Sequence, residues 1–172
     1  MTSATTTSVT CITGRRPGLQ AEPSLSITIE GYGNVATQDV RFRYVYFWSN
    51  PITWGGEFAP IDGDMVYIPA GLHLLVDIDT SPVLSAVVVQ GSLIFPSGPT
   101  PNHVRSFSAH YIMNNEGYVE AGTEAHPYTS KLIITMHSQR EDPELPIYGN
   151  KVLATYNGIT DLHGIPRHPT WS

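Results

Sequence analysis

At 172 residues, 41% of them hydrophobic and 14% charged, the chain has room to bury the core of one domain and part of another, and it lacks the composition of a disordered segment. The formal net charge of -6 and the scatter of the nine Lys and Arg residues argue against nucleic acid as a partner, because a phosphate backbone needs a concentrated basic surface. No run approaches the ~20 apolar residues of a membrane-spanning helix, and "MTSATTTSVT" lacks the apolar stretch of a signal peptide, so no direct membrane insertion by this segment is expected.

Fifteen glycines and 14 prolines imply frequent turns. Apolar periodicity of the helical kind is not sustained over three turns anywhere, whereas short runs rich in Val, Ile, Leu and Tyr recur between Gly, Pro and Asn. The chain reads as all-β. In order, the predicted strands are "VTCIT", "SLSITIEG", "VRFRYV", "DMVYIP", "LHLLVDI", "AVVVQG", "SLIF", "SFSAHYIM", "GYVEAG", "KLIITMH", "KVLATYN" and "ITDLHG". Cys11 is the single cysteine, which excludes an internal disulfide and a thiolate metal cluster. Its place in the strand "VTCITG" suits an orphan whose partner lies outside the segment better than a nucleophile.

Four segments repeat one pattern of apolar strand, polar corner, glycine and apolar strand: "VYIPAGLHLLVD", "VVVQGSLIF", "YIMNNEGYVEAG" and "VLATYNGITDLHG". Aligned on Gly71, Gly91, Gly117 and Gly158, they are spaced by 20, 26 and 41 residues. Similar units at unequal spacing suggest coils of one solenoid with insertions looping out of some of them. The third interval holds either one coil with residues 137–150 as an excursion, or a second coil. In a parallel β-helix the coils stack at ~4.8 Å and a corner favours a residue that tolerates positive φ, which fits these glycines and the nearby Asn102, Asn115 and Asn157. An antiparallel sandwich is the alternative, and "YNGIT" would serve it as a hairpin turn. Before residue 47, "SLSITIEGYGNVATQDVRFRYVYF" does not join the repeat, so a boundary is expected there.

Several residues carry chemistry on their own account. "GYVEAGTEAHPY" gathers Glu120, Glu124 and His126, and acids beside a histidine are what acid/base hydrolysis needs. Strand alternation sends Val119 and Glu120 to opposite faces, and Glu124 is expected to cap turn N–H groups rather than to face a second carboxylate across a substrate. The pairs Asp62/Asp64 and Asp77/Asp79 lack the full ligand spacing of a calcium loop; Asp62 and Asp64 read as organisers of the turn into "MVYIP", and Asp77 is expected on the solvent face of its strand. The seven histidines show no zinc signature; His163 is expected to bond a corner carbonyl and His110 to point outward. Trp48 and Trp54 stand just ahead of the first coil, where a solenoid needs an apolar cap, and an exposed tryptophan also stacks on sugars. The candidate ligand contacts are therefore Trp54, Glu124 and His126. No catalytic residue, cofactor or metal ligand is expected.

From "FWSNPITWGGEFAPIDGDMVYIPAGLHLLVDID" onward the chain resembles the G-eight domain, an extracellular module named for its eight glycines. The matching pieces are "WSNPITWGG", "PIDGDMVYIPAG", "LLVDID", "VVVQGSLIF", "AGTEAHPY", "LIITMH", "YGNKVLA" and "ITDLHG", in the family's order over roughly residues 47 to 171. The wording is most similar to the fibrocystin type and more distantly to two hyaluronan-processing surface proteins. Residues 1–47, with "SVTCITG", "SLSITIEGYG" and "VRFRYVYFWS", resemble the closing strands of an IPT/TIG immunoglobulin-like domain. The resemblance implies a short right-handed parallel β-helix over residues 48–172 preceded by an Ig-like strand remnant. It also implies a non-enzymatic recognition or architectural module of a large secreted or membrane-anchored surface protein, whose partners would be a protein or glycan ligand and neighbouring domains. The alternative function is a part of a hyaluronan-binding or hyaluronan-cleaving protein, against which a -6 surface stands.

Overall fold

The computed structural model describes residues 43–144 and 148–166, together with 3–4, 9–10, 27–30 and 33–35. Cys11, Arg41 and His168 lie outside the described residues. The chain divides into two compact units, Met1–Tyr44 and Val45–Ser172. In the first, β1 (Ser3–Ala4) pairs antiparallel with β2 (Val9–Thr10), and β3 (Ile27–Ile29) with β4 (Gly33–Val35).

The second unit begins with β5 (Tyr46–Phe47) and a 3-10 turn, Pro51–Trp54. Asn50 starts that turn by accepting the Ile52 N–H (3.0 Å), and Gly55 ends it at φ 74°. Eleven strands follow: β6 (Met65–Ile68), β7 (His73–Leu75), β8 (Thr80–Leu84), β9 (Ala86–Val89), β10 (Ser92–Ile94), β11 (Val104–Ala109), β12 (Tyr111–Asn115), β13 (Tyr118–Ala121), β14 (Lys131–Met136), β15 (Val152–Tyr156) and β16 (Ile159–Leu162). Together with β5 they form three sheets: sheet I in the order β15-β12-β9-β6, sheet II in the order β16-β13-β10-β7-β5, and sheet III in the order β14-β11-β8. From β6 onward the chain visits I, II and III in rotation, so every strand lies beside the one three places earlier. Every strand pairing in this unit is parallel. The antiparallel sandwich is therefore excluded for residues 60–165.

Parallel register stacks like side chains in ladders, which is how such short strands build a core. Val66, Val87, Ile112 and Leu153 stack in sheet I, and Leu74, Leu93, Val119 and Thr160 in sheet II. The first three residues of each ladder are buried. At the β5 end, Trp48 is 1% exposed and meets Phe107 edge-on, with ring centroids 5.9 Å apart; Phe107 in turn meets Phe95 at 5.1 Å. Trp54 packs edge-on against Trp48 and donates its indole N–H to the Trp48 carbonyl (2.7 Å). These tryptophans close the core at its first coil, as a capping role requires.

Three features differ from the sequence expectation. Sheet III was readable only in part, because β8, "TSPVL", carries a proline and two hydroxyls where an apolar run was sought. "SFSAHYIM" is two strands broken at His110, and the 41-residue interval contains one coil, with residues 137–144 and 148–151 outside the strands between β14 and β15. The corner glycines are also offset. Register aligns Gly91, Gly117 and Gly158 with Leu72, not with Gly71. The left-handed residues are those just before the aligned position: Gly71 (φ 79°), Glu116 (φ 63°) and Asn157 (φ 49°). What requires glycine at the aligned position is close approach. A Cβ on Gly91 would lie 2.1 Å from the Leu72 carbonyl oxygen, and one on Gly117 would lie 2.6 Å from that of Val89.

Candidate functional site

Glu124 and His126 share an exposed turn after β13. The cap of that turn is Thr123 rather than Glu124: the His126 N–H donates to Thr123 Oγ1 (3.1 Å), while the Thr123 N–H donates to the His126 carbonyl (2.9 Å). A short β-branched hydroxyl loses little rotamer freedom in reaching a backbone N–H three residues on. Trp54 belongs to the 3-10 turn before β6 and is half-buried against Trp48. The three candidate contacts therefore sit on two elements, Glu124 and His126 on one turn and Trp54 on another.

Glu120 lies in β13, away from the Glu124 and His126 turn. Parallel pairing sets it beside Asp161 of β16. Asp161 is already engaged, accepting the Tyr118 hydroxyl (3.0 Å) and bonding His163 Nδ1. That bond corrects the expectation for His163, whose own carbonyl accepts the Tyr128 N–H (2.6 Å). Of the four aspartates, Asp64 bonds within its own turn, while Asp62, Asp77 and Asp79 tie segments far apart in the chain. Asp62 accepts the Val83 N–H (2.7 Å) and Asp64 the Ile61 N–H (2.9 Å). Asp77 accepts the Ser49 N–H (2.9 Å), and Asp79 faces His103 Nε2 at 2.9 Å. His110 is half-buried, with Nδ1 3.6 Å from Asp142. Among the described residues no group of three or more His, Cys, Asp or Glu side chains is arranged to hold a metal ion.

The buried polar groups are those sequence reading missed. Arg105, 4% exposed in β11, donates from Nε to the Ile78 carbonyl (2.8 Å) and from a terminal nitrogen to the Pro96 carbonyl, with the Tyr128 hydroxyl at 3.5 Å. Those three groups lie in the sheet II to sheet III corners of three successive coils, so one guanidinium ties three turns. Asn114, fully buried, donates to the Ile159 carbonyl (2.8 Å) and Thr160 Oγ1 (3.2 Å), and its amide oxygen fills the place where a Gly158 Cβ would be. His73 Nδ1 and Ser92 Oγ, from stacked positions of β7 and β10, are 2.8 Å apart. The only signal available for them was a polar residue at an inward place of a strand, which alternation alone does not separate from an outward one.

Two concavities among the described residues bear on ligand contact. One, of about 630 Å³, lies beside β14 and β16 and is walled by Ala121, Tyr128, Leu132, Ile134, Leu162 and Ile165 together with Lys131 and His163. The other, of about 330 Å³, follows the sheet I to sheet II corner and is lined by the corner glycines with His73, Gln90, Ser92, Glu116, Tyr118 and Asn157. Among the described residues no helix is long and apolar enough to cross a membrane.

Comparison with known proteins matches residues 53–172 to the G8 domain model. Human Fibrocystin-L is 34% identical over 167 residues, covering 96% of this chain and 4% of that protein. Mouse Fibrocystin is 33% identical over 136 residues, 78% of this chain and 3% of that protein. Communication mutant protein F of Dictyostelium discoideum is 27% identical over 136 residues, 74% of this chain and 12% of that protein. The chain thus spans a small part of the length of the relatives it matches, and no solved structure matches it. The fibrocystin-like homologues are non-enzymatic, receptor-like proteins. The chain belongs to the G8 domain family.

Proposed function

We propose that the chain is an extracellular recognition and architectural module of a large fibrocystin-like surface protein, built as a short right-handed parallel β-helix. The observation that supports it best is the rotation of the chain through three parallel sheets, with corners locked by glycine packing on one side and by Arg105 on another. Such a body is stiff and presents its loops at fixed heights along the stack. Right-handedness follows from the general handedness of parallel β connections. In this reading residues 1–47 are the C-terminal part of an IPT/TIG-like domain and residues 48–172 the G-eight domain. The parent protein is secreted or membrane-anchored, and its neighbouring domains are among the partners.

Ligand contact is assigned to the loops of residues 96–104 and 137–150, and to Trp54, Glu124 and His126. The second loop is held in shape by Asn150, whose amide donates to the carbonyls of Gln139 (2.6 Å) and Arg140 (3.1 Å). The test is an array of glycans and extracellular proteins probed with the purified 172-residue chain, then with Trp54→Ala and Glu124→Gln. Binding that weakens in the variants supports the named contacts. Binding indifferent to both removes them, and a blank array leaves the architectural role alone standing.

A further inference from the structure

The groove along the sheet I to sheet II corner repeats one three-residue unit at each level: Gly71-Leu72-His73, Gln90-Gly91-Ser92, Glu116-Gly117-Tyr118 and Asn157-Gly158-Ile159. The central glycines of the last three are demanded by coil packing, so the bare floor is a consequence of the fold and carries no functional weight by itself. The walls are another matter. The residue before the glycine supplies a carboxamide or carboxylate at three consecutive levels, Gln90, Glu116 and Asn157. The residue after it supplies His73, Ser92 and Tyr118 to the same lining.

Three observations say what such walls would hold. His73 and Ser92 are 9% and 5% exposed and nevertheless line the groove, so polar groups have been kept at its base. Glu116 is in the left-handed conformation at φ 63°; of the equivalent residues Gly71 and Asn157, types that adopt it cheaply, share it, and Gln90 does not. A glutamate there places a carboxylate over the groove at a conformational cost that packing does not demand. Third, the backbone along the groove is already used: Ser92, Tyr118 and Ile159 N–H groups donate to the carbonyls of Leu72, Gly91 and Gly117. No strand edge is offered, so an extended peptide could not join by β-pairing. Recognition must come from side chains that exchange hydrogen bonds with many hydroxyls and from an aromatic face. The groove has no Lys or Arg in its lining, so a polyanion would meet only Glu116.

We infer that this groove binds a neutral linear saccharide, lying along the stack with successive sugars against successive coils. Tyr118 gives the apolar face, with its hydroxyl held by Asp161; Glu116, Gln90 and Asn157 pair with sugar hydroxyls. Gln90 is oriented for this by the Tyr67 hydroxyl, which donates to its Oε1 and leaves the amide N–H groups to the ligand. This assignment rests on the recognition role proposed above and moves its principal contact from the loops to the corner.

The experiment is an NMR titration of the isotope-labelled 172-residue chain with neutral linear oligosaccharides (cello-, xylo- and N-acetyllactosamine series) and, separately, with hyaluronan oligosaccharides. The expected result is saturable shifts at Gly91, Gly117 and Gly158 with a neutral series and none with hyaluronan. Glu116→Gly should weaken that binding about tenfold or more without lowering the melting temperature, because glycine adopts the backbone conformation at no steric cost. Tyr118→Phe, which keeps the ring and loses the Asp161 bond, should weaken it less. Shifts confined to residues 96–104, 137–144 or the Glu124 turn would overturn the groove and leave the recognition role intact. Equal binding of hyaluronan, binding of peptides in the groove, or no shift with any saccharide would overturn the inference outright.

Discussion

At the sheet I to sheet II corner, Gly91, Gly117 and Gly158 let the backbone of one coil rest on the carbonyls of the coil before it, with the Asn114 amide oxygen also packed against Gly158. At the sheet II to sheet III corner the coils are joined instead by Arg105, which reaches Ile78, Pro96 and Tyr128 in three successive turns. Both solve one problem, that corner carbonyls of stacked coils leave the ladder and still need donors. The first solution removes side chains so that backbone N–H groups can reach. The second lets the turns diverge and fills the gap with the longest planar donor available, whose fork can serve several acceptors at once. A corner of the first kind must repeat at every level; one of the second kind needs a single residue.

The largest effect should come from breaking the repeating corner. In Gly91→Ala the new methyl would stand 2.1 Å from the Leu72 carbonyl oxygen and 2.4 Å from that of Pro69, both backbone and neither able to swing away. A loss of about 3 kcal/mol is expected in urea unfolding followed by circular dichroism. A loss below about 1 kcal/mol would mean that the corner yields and is not set by close approach. Next comes Arg105→Met, which preserves volume and leaves the Ile78 and Pro96 carbonyls without their buried donor. About 2 kcal/mol is expected, with Arg105→Lys recovering less than half because an ammonium on one stem cannot span the acceptors. Full recovery by lysine would show that charge, not the fork, holds this corner.

The same contrast governs what could be read from sequence. A repeated requirement leaves a repeated letter, so the glycines, the all-β class and the stacking of four units were legible, and alignment erred by one place only where Leu72 replaces the glycine. A single residue with three acceptors leaves no pattern, and Arg105 looked like any scattered surface cation. Likewise β8 hid behind Pro82 and its hydroxyls, and Asn114 behind its position at the end of an alternating strand. Of the candidate site, the exposed turn of Glu124 and His126 was found in sequence and its capping residue misassigned. The groove walls were in plain view beside each glycine, but their common face required the register between coils that only the fold provides.

Close approach and backbone conformation can be separated by a glycine that has one without the other. Gly149, in the excursion after β14, has φ 79° and open space around its missing side chain. Gly149→Ala should therefore cost about 1 kcal/mol, the penalty of a left-handed alanine, against the threefold larger loss at Gly91. Should the two substitutions cost the same, conformation rather than packing would explain the corner glycines as well.

The smallest expected effect tests whether the turn beyond the corner is held by its hydroxyl. Thr123→Val keeps shape and β-branching and removes only the acceptor for the His126 N–H. That N–H also has the Thr123 carbonyl at 3.2 Å, and the turn is exposed, so water can replace part of what is lost. About 0.5 kcal/mol is expected, visible chiefly as faster hydrogen exchange at His126. Glu124→Gln should change neither stability nor that exchange rate. If Glu124→Gln instead speeds exchange and Thr123→Val does not, the carboxylate is the cap after all. The acid would then be spoken for by the fold, with less of it left for a ligand.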